Sequence, residues 1–359
     1  MEQQKISVIV PVYNGTAWIE ECVQSVRAQT WTNWEMLILD DNSSDGTDRI
    51  ARRMEREDCR IRFVQRSKKG VSSARNQGIE QTDGQFLTFV DADDKLDPRM
   101  FEELAGCLEQ ENSDMAVCDY DRWDGTAEGI CVRSGKKAED SRAGSKEAVP
   151  KRFTVDRDAY IGQYLLHGNT RCWSVLYRRE AVGNVRFRED LTIGEDMMFL
   201  VDLMPRLSRI TVTDYRGYFY RINEKGAMLR PFTPAYMDEI RSWKLAAQKI
   251  GAAYPEQKAR VNSILAVSAM LVAGKLSRLC AKERAKYGAQ IAECRETVRT
   301  ALAVPGAKKE LPEGYRAKTA LYTVCLLYTS PDFGVRGGGD AAFALRQPDQ
   351  YTHEQYCFL

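Results

Sequence analysis

The apolar positions of the chain follow two rhythms that alternate along its first third. Short β-rich runs suit buried strands: ISVIV from Ile6, EMLIL ending at Leu39, IRFV from Ile61, FLTFV from Phe86 and MAVC from Met115. Segments of helical period separate them. Ile19, Cys22, Val23 and Val26 fall at i, i+3, i+4 and i+7, on one helical face. A second helix carries Ile50 and Met54, with Asp45 or Ser44 as its cap. GVSSARNQGIEQ contains a third, and Asp97-Pro98 predicts a cap with proline at the first helical position, ahead of Phe101, Leu104 and Leu108. Strand and helix in alternation predict an α/β fold with a Rossmann-like, mainly parallel sheet flanked by helices. Ligands of such sheets sit at the carboxyl ends of the strands. Tyr13-Asn14, Asp40-Asp41 and Asp91-Asp93-Asp94 each lie just past a predicted strand, so the fold should gather them along one edge.

Further along, the pattern weakens and returns. Residues 121–150 fill with Gly, Ser, Lys, Asp and Glu and read as a loop or linker. Order resumes with a helix around Tyr160 to Leu166, the strand-like WSVLYR, a helix starting at GEDMMFLVDLM, and a strand pair ITVTD and GYFYRI. From Pro234 to about Ala303 the period is helical. The stretch from about Tyr328 has no usable period and a GGG run, which predicts a disordered tail. ILAVSAMLVAG from Ile264 falls short of the roughly 20 residues needed to cross a bilayer. MEQQKISVIVPVYN reads as a strand, not as a signal peptide.

Composition narrows the chemistry only by exclusion. Over 359 residues, 52 Lys and Arg face 51 Asp and Glu, so a formal charge of +1 gives no global reason to expect nucleic acid as a partner. Ten cysteines without CxxC pairs and only two histidines disfavour structural zinc and fit a reducing compartment. Local charge is more informative. In FLTFVDADD a hydrophobic strand ends on three carboxylates, Asp91, Asp93 and Asp94. Two carboxylates about 4 Å apart repel by about 1 kcal/mol in water and about 4 at a surface-like dielectric, so a partner of opposite charge is expected. Mg²⁺ or Mn²⁺ would serve, because both prefer hard oxygen ligands and bridge substrate phosphates. The plainer alternative is a set of acids that cap the next helix or face water. A dinucleotide site is disfavoured, since PVYNGTAW after the first strand has one glycine and no G-x-G-x-x-G cradle.

PVYNGTAWIEECVQSVRAQTWTNWEMLILDDNSSDGT, GVSSARNQGI, FLTFVDADD and GEDMMF, in this order and spacing, resemble the successive motifs of the family 2 glycosyltransferases with the GT-A fold. The resemblance covers about the first 225 residues, and LYRRE, IGEDMMF and YFYRIN resemble bacterial members that build surface or capsular polysaccharides. It implies a nucleotide-sugar-binding half over 1–120 and an acceptor-binding half over 121–225, ahead of a helical region over 226–327 and a tail over 328–359. Pro11, Tyr13 and Asn14 would line the nucleobase pocket, with Tyr13 on a uracil whose imide N–H Asp41 accepts. Arg75 would face the nucleotide or its diphosphate. Asp91 would hold the ribose side and stand beside Asp93, the metal ligand, with Asp94 as support. Arg221, ahead of Arg178 and Arg179, would contact diphosphate or acceptor. Asp196 would be the catalytic base, with Glu195 as runner-up, oriented toward the acceptor; the bland alternative is two acids in a first helical turn.

The implied reaction is an inverting, single-displacement transfer of a hexosyl or N-acetylhexosaminyl group. The donor would be a nucleotide sugar, a UDP-sugar by this reading, used with Mn²⁺ or Mg²⁺, and the acceptor a hydroxyl of a glycan or lipid-linked glycan. A different class, a catalytically silent nucleotide-sugar-binding or scaffolding subunit, would keep the first pocket and lose Glu195-Asp196. A nucleotidyltransferase would need a glycine-rich basic loop after strand one. The chain lacks the Q-x-x-R-W segment of processive synthases, so it should add one sugar or a few and release. Trp173-Ser174 stand where related chains often place Lys or Asn, and Trp173, Tyr177, Tyr218 and Tyr220 suit either sugar stacking or the core, with the core favoured. The expected location is the cytoplasm, with peripheral contact at the inner face of the cell membrane through Lys282, Arg284 and Lys286 of the helical region; a solvated face is the commoner fate of such residues. A homodimer is compatible with all of this.

Overall fold

In the computed structural model β1 (Ile6–Val12) runs between β2 (Trp34–Asp40) and β4 (Phe86–Phe89), parallel to both, with β3 (Ile61–Gln65) outside β2. Residues 3–67, 70–123, 149–222, 231–316 and 319 are described; the predicted tail and most of the predicted linker lie outside them. Val8, Ile9 and Val10 are fully buried, as a strand covered on both faces must be. α1 (Ile19–Arg27) buries Ile19, Cys22, Val23 and Val26, the four residues its period selects. α2 (Thr47–Glu57) starts after Asp45, whose Oδ1 accepts the Thr47 N–H at 3.1 Å, and α3 is Val71–Gln81.

A two-residue strand, β5 (Lys95–Leu96), was not foreseen, because two residues carry no period. α4 (Met100–Gln110) opens two residues later than Pro98 predicts. The carbonyls of Asp97 and Pro98 also accept from the Gln29 amide and the Thr30 N–H, at 2.7 and 2.8 Å, and Asp97 Oδ1 accepts the Arg99 N–H. Those contacts close a turn ahead of the helix. Next come β6 (Met115–Trp123), β7 (Arg152–Val155), α5 (Arg157–Gln163), β8 (Val175–Arg178), α6 (Arg179–Val182), α7 (Glu195–Leu203) and β9 (Ile210–Arg221). ITVTD and GYFYRI form this single strand and not a pair. β6 follows it from Met115–Ile210 to Trp123–Arg221, and a register irregularity around Asp119 absorbs the break in pattern.

Among the described residues the nine strands make one sheet in the order β3-β2-β1-β4-β8-β6-β9-β5, with β7 on β9. The half around β1 is wholly parallel; past β4 the ladders mix, with β8 antiparallel to both β4 and β6. These elements belong to one compact unit, residues 1–165 and 170–230. A second unit comprises 166–169 and 231 onward, with α8 (Met237–Ala253), α9 (Lys258–Ser277), α10 (Ala281–Arg284) and α11 (Gly288–Ala303). Pro255–Ser277 is longer than the apolar run in the sequence suggests, and by length and composition it could cross a membrane. Two thirds of its apolar window, 67%, is buried inside the structure, the property of a core helix packed on α8 and α11.

α3 reaches β1 because Gly78 has no side chain. A Cβ there would lie 2.3 Å from Ile9 Cγ2 and 3.0 Å from Cγ1. Gly78→Ala should therefore lose about 1–3 kcal/mol of stability to overpacking, although alanine favours a helix interior by about 1 kcal/mol. Urea denaturation measures the balance, and a gain in stability would mean that the helix and strand are further apart.

Candidate active site

The edge expected to gather polar residues is stitched together by short contacts. Asp41 donates its N–H to the Val12 carbonyl at 2.9 Å, joining the ends of β1 and β2. Asn14, in the left-handed region at φ 51°, donates to Ser43 Oγ at 2.7 Å and accepts the Ser44 N–H at 2.9 Å. Buried Asp40 accepts the Ser43 N–H at 3.1 Å. Pro11 is still within β1, opposite Leu39. Tyr13 projects from this edge and is 62% exposed, one of few large apolar side chains left in water. Asp41 has a fixed orientation: it pairs with the guanidinium of Arg66, which is buried and also bonds Gln77 and Ser73, and it accepts the Gly70 N–H at 2.7 Å.

After β4 the acidic run folds into a turn closed by the Asp94 N–H on the Asp91 carbonyl at 3.1 Å. The three carboxylates then diverge. Asp94 is 1% exposed and accepts the Tyr218 hydroxyl at 2.7 Å and the Arg221 N–H at 2.8 Å. Burial, with Asp93 and Asp91 nearby, holds its carboxyl well above the usual range, so it braces the turn as a structural group. Arg221 wraps the same turn. Its Nε donates to the Asp93 carbonyl at 2.7 Å, Nη2 pairs with Glu21 at 2.6 Å, and its plane lies 4.0 Å over Trp123. Arg178 and Arg179, the other two candidates for diphosphate or acceptor, are spent on the interior: they donate to the carbonyls of Leu108, Ser113, Ile79 and Gly84.

Asp91 turns the other way and meets the cation that its charge demands. Arg75, on α3 and 3% exposed, donates from Nη2 to Asp91 at 3.0 Å and from Nη1 to Glu195 at 3.2 Å and Asp196 at 2.5 Å. One guanidinium thus collects carboxylates from two ends of the sequence. Its neighbour Asn76 clamps the backbone of Phe187 with both amide atoms, at 2.9 and 2.8 Å, and Phe187 stacks on Phe199 of α7 at 4.1 Å. α7 begins at Gly194, whose φ of 82° suits glycine and swings Glu195 and Asp196 into the first helical turn. The buried Cys172 thiol lies within hydrogen-bonding reach of Asp196. Burial pushes the Glu195 carboxyl up to about 8, Asp196 adds to the rise and Arg75 opposes it. Burial likewise lifts Asp91 to about 6 against the pull of Arg75.

Strands about 4.8 Å apart place the ends of β2 and β4 about 10 Å from each other across β1. Tyr13, Asp41, Asp91 and Asp93 therefore line one edge, and Arg75 extends it to Glu195 and Asp196. Among the described residues no three His, Cys, Asp or Glu side chains form a preformed metal cage. Asp91 and Asp93 offer hard oxygens at the partly exposed side of the turn, which fits Mg²⁺ or Mn²⁺ held mainly by phosphate and water. Arg66, Asn76 and Cys172 are not singled out by the sequence, and Tyr218, expected in the core, also braces Asp94. Arg66 has a signal, since it follows the end of β3 as Asp41 follows β2; Asn76 and Cys172 have none.

Glu195 allows a signed test. Its carboxyl, ordinarily near 4.5, keeps a proton up to about 8 in the folded chain. Its contribution is therefore full below about pH 4.5 and is lost as pH rises toward 8, by up to about 1.4 kcal/mol per unit. Glu195→Gln, which cannot ionise, should gain in stability relative to the native chain between pH 5 and pH 8, measured by urea denaturation at several pH values. No relative change over that range would identify Glu195 as an ordinary ion-paired carboxylate, ionised throughout it.

Residues 7–163 match the model of a family described as Glycosyl transferase family 2. Among curated proteins, the uncharacterized glycosyltransferase EpsJ of Bacillus subtilis (strain 168) is 32% identical over 244 residues, which is 65% of this chain and 65% of EpsJ. The match thus spans just under two thirds of that relative's length. Among solved structures, S. aureus TarS 1-349 in complex with UDP-GlcNAc superposes with a TM-score of 0.63 at 20% identity, over 90% of this chain and 89% of that one. The mannosyltransferase PcManGT from Pyrobaculum calidifontis, in complex with GDP-Man and Mn²⁺, gives a TM-score of 0.50 at 15% identity, over 91% and 88%. At these identities the structures establish the GT-A fold.

Proposed function

We propose that the chain is a member of glycosyl transferase family 2 and, on that premise, a working transferase that moves one sugar from a nucleotide sugar to a hydroxyl group. The observation that carries this reading is the Arg75 guanidinium, which holds Asp91 of the strand-end edge against the Glu195-Asp196 pair. A protein that only bound a nucleotide sugar would have no use for the second pair of acids.

The donor we favour is a UDP-sugar. The exposed Tyr13 ring offers a stacking face for the base. Asp41, fixed by Arg66 and Gly70, is oriented to accept an imide N–H, and a wrong base would leave that partly buried carboxylate without it. Asp91 and Asp93 would hold Mg²⁺ or Mn²⁺ at the diphosphate, and the ion would supply Lewis-acid stabilisation to the departing nucleotide. Arg221, already committed to Glu21 and the Asp93 carbonyl, keeps the turn in shape and stands as a fixed positive charge beside it.

The chain's own part in the reaction is to place and deprotonate the acceptor. Asp196 takes the proton of the acceptor hydroxyl as that oxygen bonds to the anomeric carbon from the face opposite the nucleotide. The bond from that carbon to the phosphate oxygen breaks with its electron pair, and the configuration inverts. Glu195, protonated up to about 8, stays a neutral acid at pH 7 and can donate a hydrogen bond to the acceptor. Arg75 fixes both acids and matches the remaining negative charge. The acceptor class we favour is a glycan or lipid-linked glycan at the inner face of the cell membrane, with the enzyme in the cytoplasm, where free cysteines such as Cys22, Cys107 and Cys172 persist.

Asp196→Asn should lower turnover by about 10²–10⁴ while leaving UDP binding, measured by calorimetry with Mn²⁺, within about threefold of the native chain, since asparagine keeps the side chain's shape and Arg75 still holds Asp91 through Nη2. If transfer and UDP binding are lost together, Asp196 holds the site's shape. If transfer survives, the base is elsewhere.

A further inference from the structure

Trp173 sits where the two carboxylate groups of the site meet. Its backbone bridges Phe89, two residues before Asp91, and the preceding Cys172 lies within hydrogen-bonding reach of Asp196. Its indole stacks on Tyr218, the ring whose hydroxyl bonds Asp94, at 4.7 Å and 25°, and on Tyr220 at 5.3 Å and 17°. Tyr120 meets it edge-on at 5.0 Å and 89°. Tyr218 is fully buried, but Trp173, Tyr120 and Tyr220 are only partly covered. The aromatic cluster thus has an inner layer in the core and a partly exposed outer layer.

The backbone that presents the indole is held in an uncommon shape. Ser174 has φ 57°, a region that favours glycine. Arg171 secures it, donating from Nε to Ser174 Oγ at 2.9 Å and from Nη2 to the Cys118 carbonyl at 3.2 Å, while the Cys118 N–H donates to the Ser174 carbonyl at 3.0 Å. The same guanidinium lies 4.6 Å from the Tyr120 ring and 5.1 Å from that of Trp173, with Nη1 making no hydrogen bond among the described residues. A tryptophan needed only for packing would not require a strained turn to present a partly exposed ring near the acids.

We infer that Trp173, with Tyr120 and Tyr220, is the shelf on which the reacting ring of the acceptor rests, and that this acceptor is a pyranose with a C–H face, not a polyol phosphate. The inference rests on the transferase reading above. A pyranose turns several C–H groups to one side, a flat apolar patch that matches an aromatic plane, and keeps its hydroxyls at the rim. An open polyol chain exposes hydroxyls all round and has no such face. With the ring on the shelf, a rim hydroxyl lies toward Asp196, and Arg171 Nη1 is positioned to donate to another.

The test uses the full chain with a UDP-sugar donor and two acceptor sets, aryl hexopyranosides and glycerol or ribitol phosphates. Trp173→Leu keeps apolar bulk on Tyr218 without a π face, and Trp173→Phe keeps the face. The leucine variant should raise the KM for pyranosides about tenfold, the scale of one aromatic contact, the phenylalanine variant no more than about threefold, and neither should move the donor KM. Tyr220→Leu, on a separate strand, should repeat the effect and covers the case in which Trp173→Leu does not fold. Equal effects of Phe and Leu, a parallel rise in donor KM, or transfer to polyol phosphates and to no pyranoside would overturn the shelf. Absence of both transfer and donor hydrolysis with every nucleotide sugar would instead overturn the transferase reading, and the shelf with it.

Discussion

A single buried guanidinium sets the terms for the site. Placing a cation at the depth of Arg75 costs several kcal/mol in lost hydration unless carboxylates surround it. Placing the carboxylates of Asp91 and Asp196 close together, with neutral Glu195 beside them, costs as much unless a cation stands between them. Each charge is tolerable only because of the others. Removing one member of such a group typically destabilises by about 3–5 kcal/mol, because the charge left behind is uncompensated. The acidic run that closes β4 is thus answered by the protein itself, at Asp91.

The fold delivers that arrangement with little freedom. β1 lies between β2 and β4, so the loops after all three must share an edge. The clamp of Asn76 on Phe187 and the stack of Phe187 on Phe199 bring the start of α7 to α3, although about 120 residues separate them. Rigidity is built from buried polar pairs on both sides: Asp41 with Arg66 past β2 and β3, Asp94 with Tyr218 and the Arg221 amide at the turn after β4. Catalytic groups held this way need little reorganisation when substrate arrives.

Much of this was legible in the sequence, for reasons that also explain the rest. The strands around β1 and the face of α1 follow from local period, which one chain shows directly. The residues past the strand ends follow from the general rule for ligands in open sheets. What the period could not show were partnerships across long separations. Arg75, expected at the nucleotide, binds three acids; Arg178 and Arg179, candidates for diphosphate or acceptor behind Arg221, satisfy backbone carbonyls in the interior. An arginine on a helix looks the same in either case, and only the folded chain says which acceptors it meets. The pair of strands read from ITVTD and GYFYRI is a single strand for a related reason, since an irregularity in register leaves no mark on local composition.

The shared guanidinium is tested most directly by a double-mutant cycle in urea between Arg75→Met and Asp91→Asn. At pH 8, above the value of about 6 to which Asp91 is lifted, both partners are charged. The expected coupling there is about 1–3 kcal/mol, and it should shrink at pH 5 as Asp91 takes up its proton. Effects that add to within about 0.5 kcal/mol at pH 8 would mean that Arg75 does not hold Asp91, and the link between the strand-end edge and the second pair of acids would be gone.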